Sequence, residues 1–100
     1  MKKSELVKII QAARTFNENS LQWFAYGYDA EEHGDQSYAH TAYEISKEYE
    51  NKMRGLFYAI EITTGFTFGQ WYFEDFTNEA LAEMVMCFQS TGTVQLAKKL

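Results

Sequence analysis

From Tyr38 to Ile60 the apolar side chains recur in steps of three and four: Tyr38, Ala42, Ile45, Tyr49, Met53, Leu56, Ile60. That period matches one face of an α-helix sustained over six turns, close to a heptad seam, and the chain has no proline to interrupt it. Glu44, Lys47, Glu48, Asn51 and Lys52 fill the remaining positions of its first half, with Glu48 and Lys52 as a favourable i,i+4 pair. Gly55 costs about 1 kcal/mol against alanine, which a seam this long tolerates. Thr63, Thr64 and Gly65 mark the end. The β-branched and aromatic runs LFYAIEI and FTFGQWYF, either side of that turn, leave one alternative open: an α+β chain with a small hairpin at 56–73. The seam's phase runs unbroken across Gly55 and favours helix for 56–63.

The rest of the chain fits around this element. SELVKIIQAARTF (4–16) reads as an amphipathic helix with Ser4 as N-cap, Leu6, Ile9, Ile10 and Ala13 on its apolar stripe, and Lys8, Gln11 and Arg14 facing water. NENS (17–20) either breaks it or is carried through, since Leu21, Phe24 and Tyr28 continue the spacing. Gly34 suits a helix C-terminus, and Asp35 or Ser37 a following cap. Thr77 caps a last helix whose stripe is Leu81, Met84, Val85 and Phe88 and which Gly92 ends; TVQLAKKL follows as a short, frayed tail with lysines suited to a helix C-terminus. The expected architecture is all-α, one domain over 1–100, with a helical hairpin of two longer helices and a third C-terminal helix.

The net charge of −5 is unevenly placed. Residues 29–50 carry Asp29, Glu31, Glu32, Asp35, Glu44, Glu48 and Glu50 against Lys47 alone, and residues 55–97 hold five acids and no base. Direct binding to nucleic acid or an anionic membrane draws on the opposite sign, so a basic protein surface is the expected partner. The first 16 residues lack an uninterrupted apolar stretch, and no run approaches the roughly 20 residues of a membrane span. Cys87 is the only cysteine. A cytoplasmic location is expected, with no internal disulfide.

No motif specifies a reaction. His40, Glu44 and Glu48 share a helix face at i,i+4 spacing, but a metal needs a third or fourth ligand and His33 stands beyond Gly34; a solvated polar face is the simpler reading. Cys87, between Met86 and Phe88, reads as buried and inert. Gly-x-Ser-x-Gly, Walker and Gly-x-Gly-x-x-Gly patterns are all missing. Glu74 and Asp75 are adjacent, so their side chains diverge. No enzyme, cofactor or metal is expected.

The aromatics are the distinctive component: 17 in 100 residues, with four in WFAYGY (23–28) and six in FTFGQWYFEDF (66–76). They serve first as core, with both clusters packed on each other and FGQWYFEDF (68–76) mainly inside, and Trp23, Tyr26, Tyr28, Trp71 or Tyr72 left partly exposed as binding anchors. In size, acidity, aromatic loading and lack of catalytic motif, the chain resembles the small inhibitor proteins that bacteriophages make against host enzymes or defence systems. That resemblance is one of composition and implies a non-enzymatic binding protein. Its expected partner surface comprises Asp29, Glu31, Glu32, Asp35, Glu44, Glu48 and Glu50, with Trp71 and Tyr72 adding affinity. Two alternatives stand beside it: a homo-oligomer joined through the Tyr38–Ile60 seam, and a small-ligand pocket between the aromatic clusters.

Overall fold

A computed structural model of the chain describes residues 1–93. Its elements are α1 (Lys3–Glu32), α2 (Gln36–Thr64), a single turn α3 (Tyr72–Asp75) and α4 (Asn78–Thr91). The protein is all-α: two long helices form an antiparallel hairpin and α4 packs on its base, mainly against α1. The hairpin sets the 52 × 26 × 20 Å envelope, since 30 residues of helix rise about 45 Å. No strand occurs among the described residues, so the hairpin alternative at 56–73 does not form. Beyond Thr93 the expected tail lies outside the described residues.

Local chemistry explains most of the boundaries. Gly34 and Gly65 both take φ of +80°, where a Cβ would be strained, and they end α1 and α2. The Asp35 carboxylate accepts from the Tyr38 N–H at 3.0 Å and the Thr77 hydroxyl from the Ala80 N–H at 3.1 Å, capping α2 and α4. Ser4 does not cap: α1 starts at Lys3, and Lys2 in the cap position offers no side-chain bond. NENS does not break the helix either. Four polar residues cost only tenths of a kcal/mol each in propensity, and packing of the two helices outweighs that.

The base of the hairpin holds the core. Leu6, Ile10 and Ala13 of α1, Met53, Phe57 and Ile60 of α2, and Leu81, Met84 and Val85 of α4 are buried there. The connector fills the space between them with Phe66, Phe68, Phe73 and Phe76; the first three rings pack on Phe57 or one another at centroid separations of 4.9–5.9 Å, and the Phe76 ring lies 6.2 Å from that of Tyr72. Arg14, expected in water, is turned inward instead. It donates to the carbonyls of Phe73 at 2.8 Å and Phe76 at 2.7 Å and to Asn78 Oδ1 at 2.6 Å, with its guanidinium 4.7 Å from the Phe73 ring. A planar fork of donors matches the carbonyls left open at the end of a one-turn helix. Burial lowers the Arg14 pKa from its usual value, and Glu18 opposes that shift.

The distal half is built differently. Ser20, Gly27 and Ala30 of α1 face Ala39, Ala42 and Ser46 of α2, all buried. Ser20 Oγ donates to the Ser46 carbonyl at 2.9 Å and Ser46 Oγ returns the bond to the Ser20 carbonyl at 2.7 Å. A Cβ on Gly27 would stand 2.5 Å from the Tyr43 ring, so that ring lies directly on the glycine. The predicted seam therefore has the right period and a partly wrong phase. Ala42, Met53 and Ile60 are buried, but Tyr38 is exposed, Ile45, Tyr49 and Leu56 are half-buried, and the line between the helices runs through Ala39, Ser46 and Phe57 as well. Close approach puts small side chains at the centre and pushes large ones to the flanks.

Candidate functional site

Asp29, Glu31 and Glu32 occupy the last turn of α1 and Asp35 caps α2, so these four exposed acids crowd the tip of the hairpin. Three of them sit where the helix dipole is already negative, with no basic side chain in that turn, an arrangement that costs a few tenths of a kcal/mol per charge. Beside them is the exposed His33, whose Nδ1 lies 3.7 Å from Asp29 Oδ1 and 2.8 Å from the Asp29 carbonyl.

The other predicted acids are elsewhere. Glu44 and Glu48 are exposed on the side of α2 opposite Ala42, Ser46 and Met53, and His40 Nε2 contacts Glu44 Oε1 at 3.1 Å. Glu50 is tied to Arg54 by contacts of 3.1 and 2.7 Å, which neutralises it locally. Trp71 and Tyr72 are not near the tip. Trp71, 64% exposed, borders a groove of about 430 Å³ with Arg54, Tyr58 and Glu61 of α2; Arg54 alone is 18 residues, about 27 Å, from the start of that helix. The Trp71 ring lies on Gly69, where a Cβ would collide with it, and Tyr72 is half-buried against Phe66 and Phe68. The expectation that FGQWYFEDF (68–76) is mainly core holds for Phe68, Phe73 and Phe76, with Glu74 and Asp75 exposed, but the two aromatic clusters do not pack on each other: Phe24, Tyr26 and Tyr28 stand exposed on the distal half of α1.

What the structure brings beside the tip acids is a stripe on α1. Leu21, Phe24 and Tyr28, at i, i+3 and i+7, are 58%, 56% and 57% exposed. From the sequence, Leu21, Phe24 and Tyr28 served only as the continued spacing of a first helix carried through NENS; of the three, Tyr28 alone stood among the suggested anchors. The stripe is bracketed by Glu18 at one end and by Glu31 and Glu32 at the other. Beside it lies Tyr43 of α2, whose ring centroid is 5.2 Å from that of Phe24. Burial, followed by the adjacent Glu31 carboxylate, raises the Tyr43 pKa from its usual value of 10.0.

Among the described residues no three His, Cys, Asp or Glu side chains are placed to hold one metal ion, and no helix is long and apolar enough to cross a membrane. Cys87 is half-buried rather than enclosed, with Sγ 4.0 Å from the Thr91 hydroxyl and, among the described residues, no base hydrogen-bonded to it. No protein-family model matches the chain, and neither the curated proteins nor the solved structures give a match.

Proposed function

We propose that this chain is a non-enzymatic acidic binding protein, of the inhibitor type that its composition resembles, and that it engages a basic protein through the distal half of its hairpin. One observation carries the reading: Leu21, Phe24 and Tyr28 stand exposed in a row between Glu18 and the acids of the tip. Exposed apolar rows and acids at a helix C-terminus are both unfavourable in the free protein, and a basic, partly apolar partner relieves both. Acid-rich binding surfaces of this kind steer association and make it salt-sensitive. A reducing cytoplasm suits the lone cysteine. Glu44 and Glu48, on the far side of α2, contribute to long-range attraction rather than to contact.

The test is affinity capture from a cytosolic lysate at low and high salt, with the complex sized by light scattering. A stoichiometric basic partner, released by salt and lost on charge reversal at Glu31 and Glu32 more than at Glu44 and Glu48, is the expected result. A partner indifferent to salt, or a defined homo-oligomer with no partner, would overturn the reading. The second outcome would assign the exposed stripe, rather than the Tyr38–Ile60 seam, to self-assembly.

A further inference from the structure

We infer that the distal surface seats a single basic amphipathic α-helix of the partner, lying along α1 and α2 where this chain's own third layer stops. The inference rests on the binding reading above and adds the form of the occupant. At the base, the side of the hairpin that carries Arg14 is covered by the connector and α4. That cover ends at Leu21, which shares a shallow cleft with Arg14, Gln70, Phe73 and Glu74. Phe24 and Tyr28 continue along the same helix and are more than half exposed among the described residues.

Three features select a helix. The apolar contacts at 21, 24 and 28 follow helical spacing, and the span from Glu18 to Glu32 is about 21 Å, the length of roughly four turns. The close approach of α1 and α2 through Ser20, Gly27, Ala42 and Ser46 lays the half-buried Tyr43 ring across Gly27 and beside Phe24, so that α2 adds a ring to the α1 stripe and a helix of the partner can pack on both. No strand is present among the described residues and the backbone of α1 and α2 is engaged in their own helices, so an extended peptide has no edge to join. Charge selects the partner's sign. Glu18, Glu31 and Glu32 border the stripe, Glu50 is already paired, and a second copy of this chain laid on the face would set acid against acid.

Two synthetic peptides test this, each about four turns long. One has leucines on one helical face and lysines elsewhere; the other is a scramble of the same composition without that face. Each is titrated at low salt into the isotope-labelled full chain while backbone amide shifts are followed. The expected result is binding of the amphipathic peptide at least about tenfold tighter than the scramble. Its shifts should centre on residues 21–32, and be lost in Phe24→Ser and in Leu21→Ser but kept in Trp71→Ser. Equal binding of both peptides, or shifts centred on Glu44 and Glu48, would overturn the helical seat while leaving an acidic binding protein. Failure of both peptides to bind would remove both readings.

Discussion

At its base the hairpin packs leucine, isoleucine, methionine and phenylalanine against a third layer, whereas towards its tip the same two helices meet through serine, glycine and alanine and carry their aromatic rings outside. Burying a Leu or Phe side chain is worth about 1.5–3 kcal/mol, so the base supplies most of the folding free energy. The tip buries little and exposes Leu21, Phe24 and Tyr28, so its large side chains remain available for contact. Two helices of nearly equal length thus divide the labour along their axis: one half holds the fold, the other presents a surface.

The largest expected contrast tests that division directly. Phe66→Ala, at a ring 2% exposed within the basal cluster, should cost about 3–5 kcal/mol in urea unfolding, and Phe24→Ala less than about 1 kcal/mol. Comparable losses would break the comparison. Arg14→Met comes next, at about 1.5–3 kcal/mol, because it removes a charged donor from the Phe73 and Phe76 carbonyls. The same unfolding experiment reads it. A paired substitution in the helices then separates close packing from propensity. Gly55→Ala has open space and should raise stability by up to about 1 kcal/mol, whereas Gly27→Ala drives Tyr43 aside and should lower it by about 1 kcal/mol or more. Adding Tyr43→Ala to Gly27→Ala should remove that penalty.

The smallest effect is a pH dependence on the alkaline side. Tyr43 has its pKa raised in the folded state, chiefly by burial, so the unfolded chain releases this proton first. Its contribution is complete below the unfolded value near 10 and is lost as pH rises through the higher folded value. Lys3, raised by its 2.8 Å contact with Glu83, gives the same sign from the other end of the molecule. Unfolding midpoints followed above pH 9 should fall less steeply in Tyr43→Phe and in Lys3→Met than in the parent chain.

The helices were legible because periodicity and punctuation are local: Asp35, Gly65, Thr77 and Gly92 do what their residue types favour. The phase between α1 and α2 was not. It depends on how near the helices approach, and sequence reasoning gave the interior to Tyr38, Ile45, Tyr49 and Leu56 because large apolar side chains usually mark a core. Arg14 was misread for the same reason, since its partners lie 59 to 64 residues away in the chain. Of the candidate surface, the acids of the tip were legible as a charge run. Leu21 and Phe24 were not, because an apolar row at helical spacing looks the same whether or not a third layer reaches it. The outward placement of Trp71 depends on Gly69 beneath its ring, a contact that only the folded connector creates.

The reciprocal bonds of Ser20 and Ser46 have a consequence for how the hairpin avoids mispairing. An interface of alanine and glycine is nearly featureless, and two such helices can slide by a heptad with little change in shape. Slipping α2 by seven residues either way would set Ser20 against Ala39 or Met53 and leave two buried hydroxyls without partners, at about 1–3 kcal/mol each. The two serines therefore act as an address on an otherwise uniform track, fixing which turn of α1 meets which turn of α2.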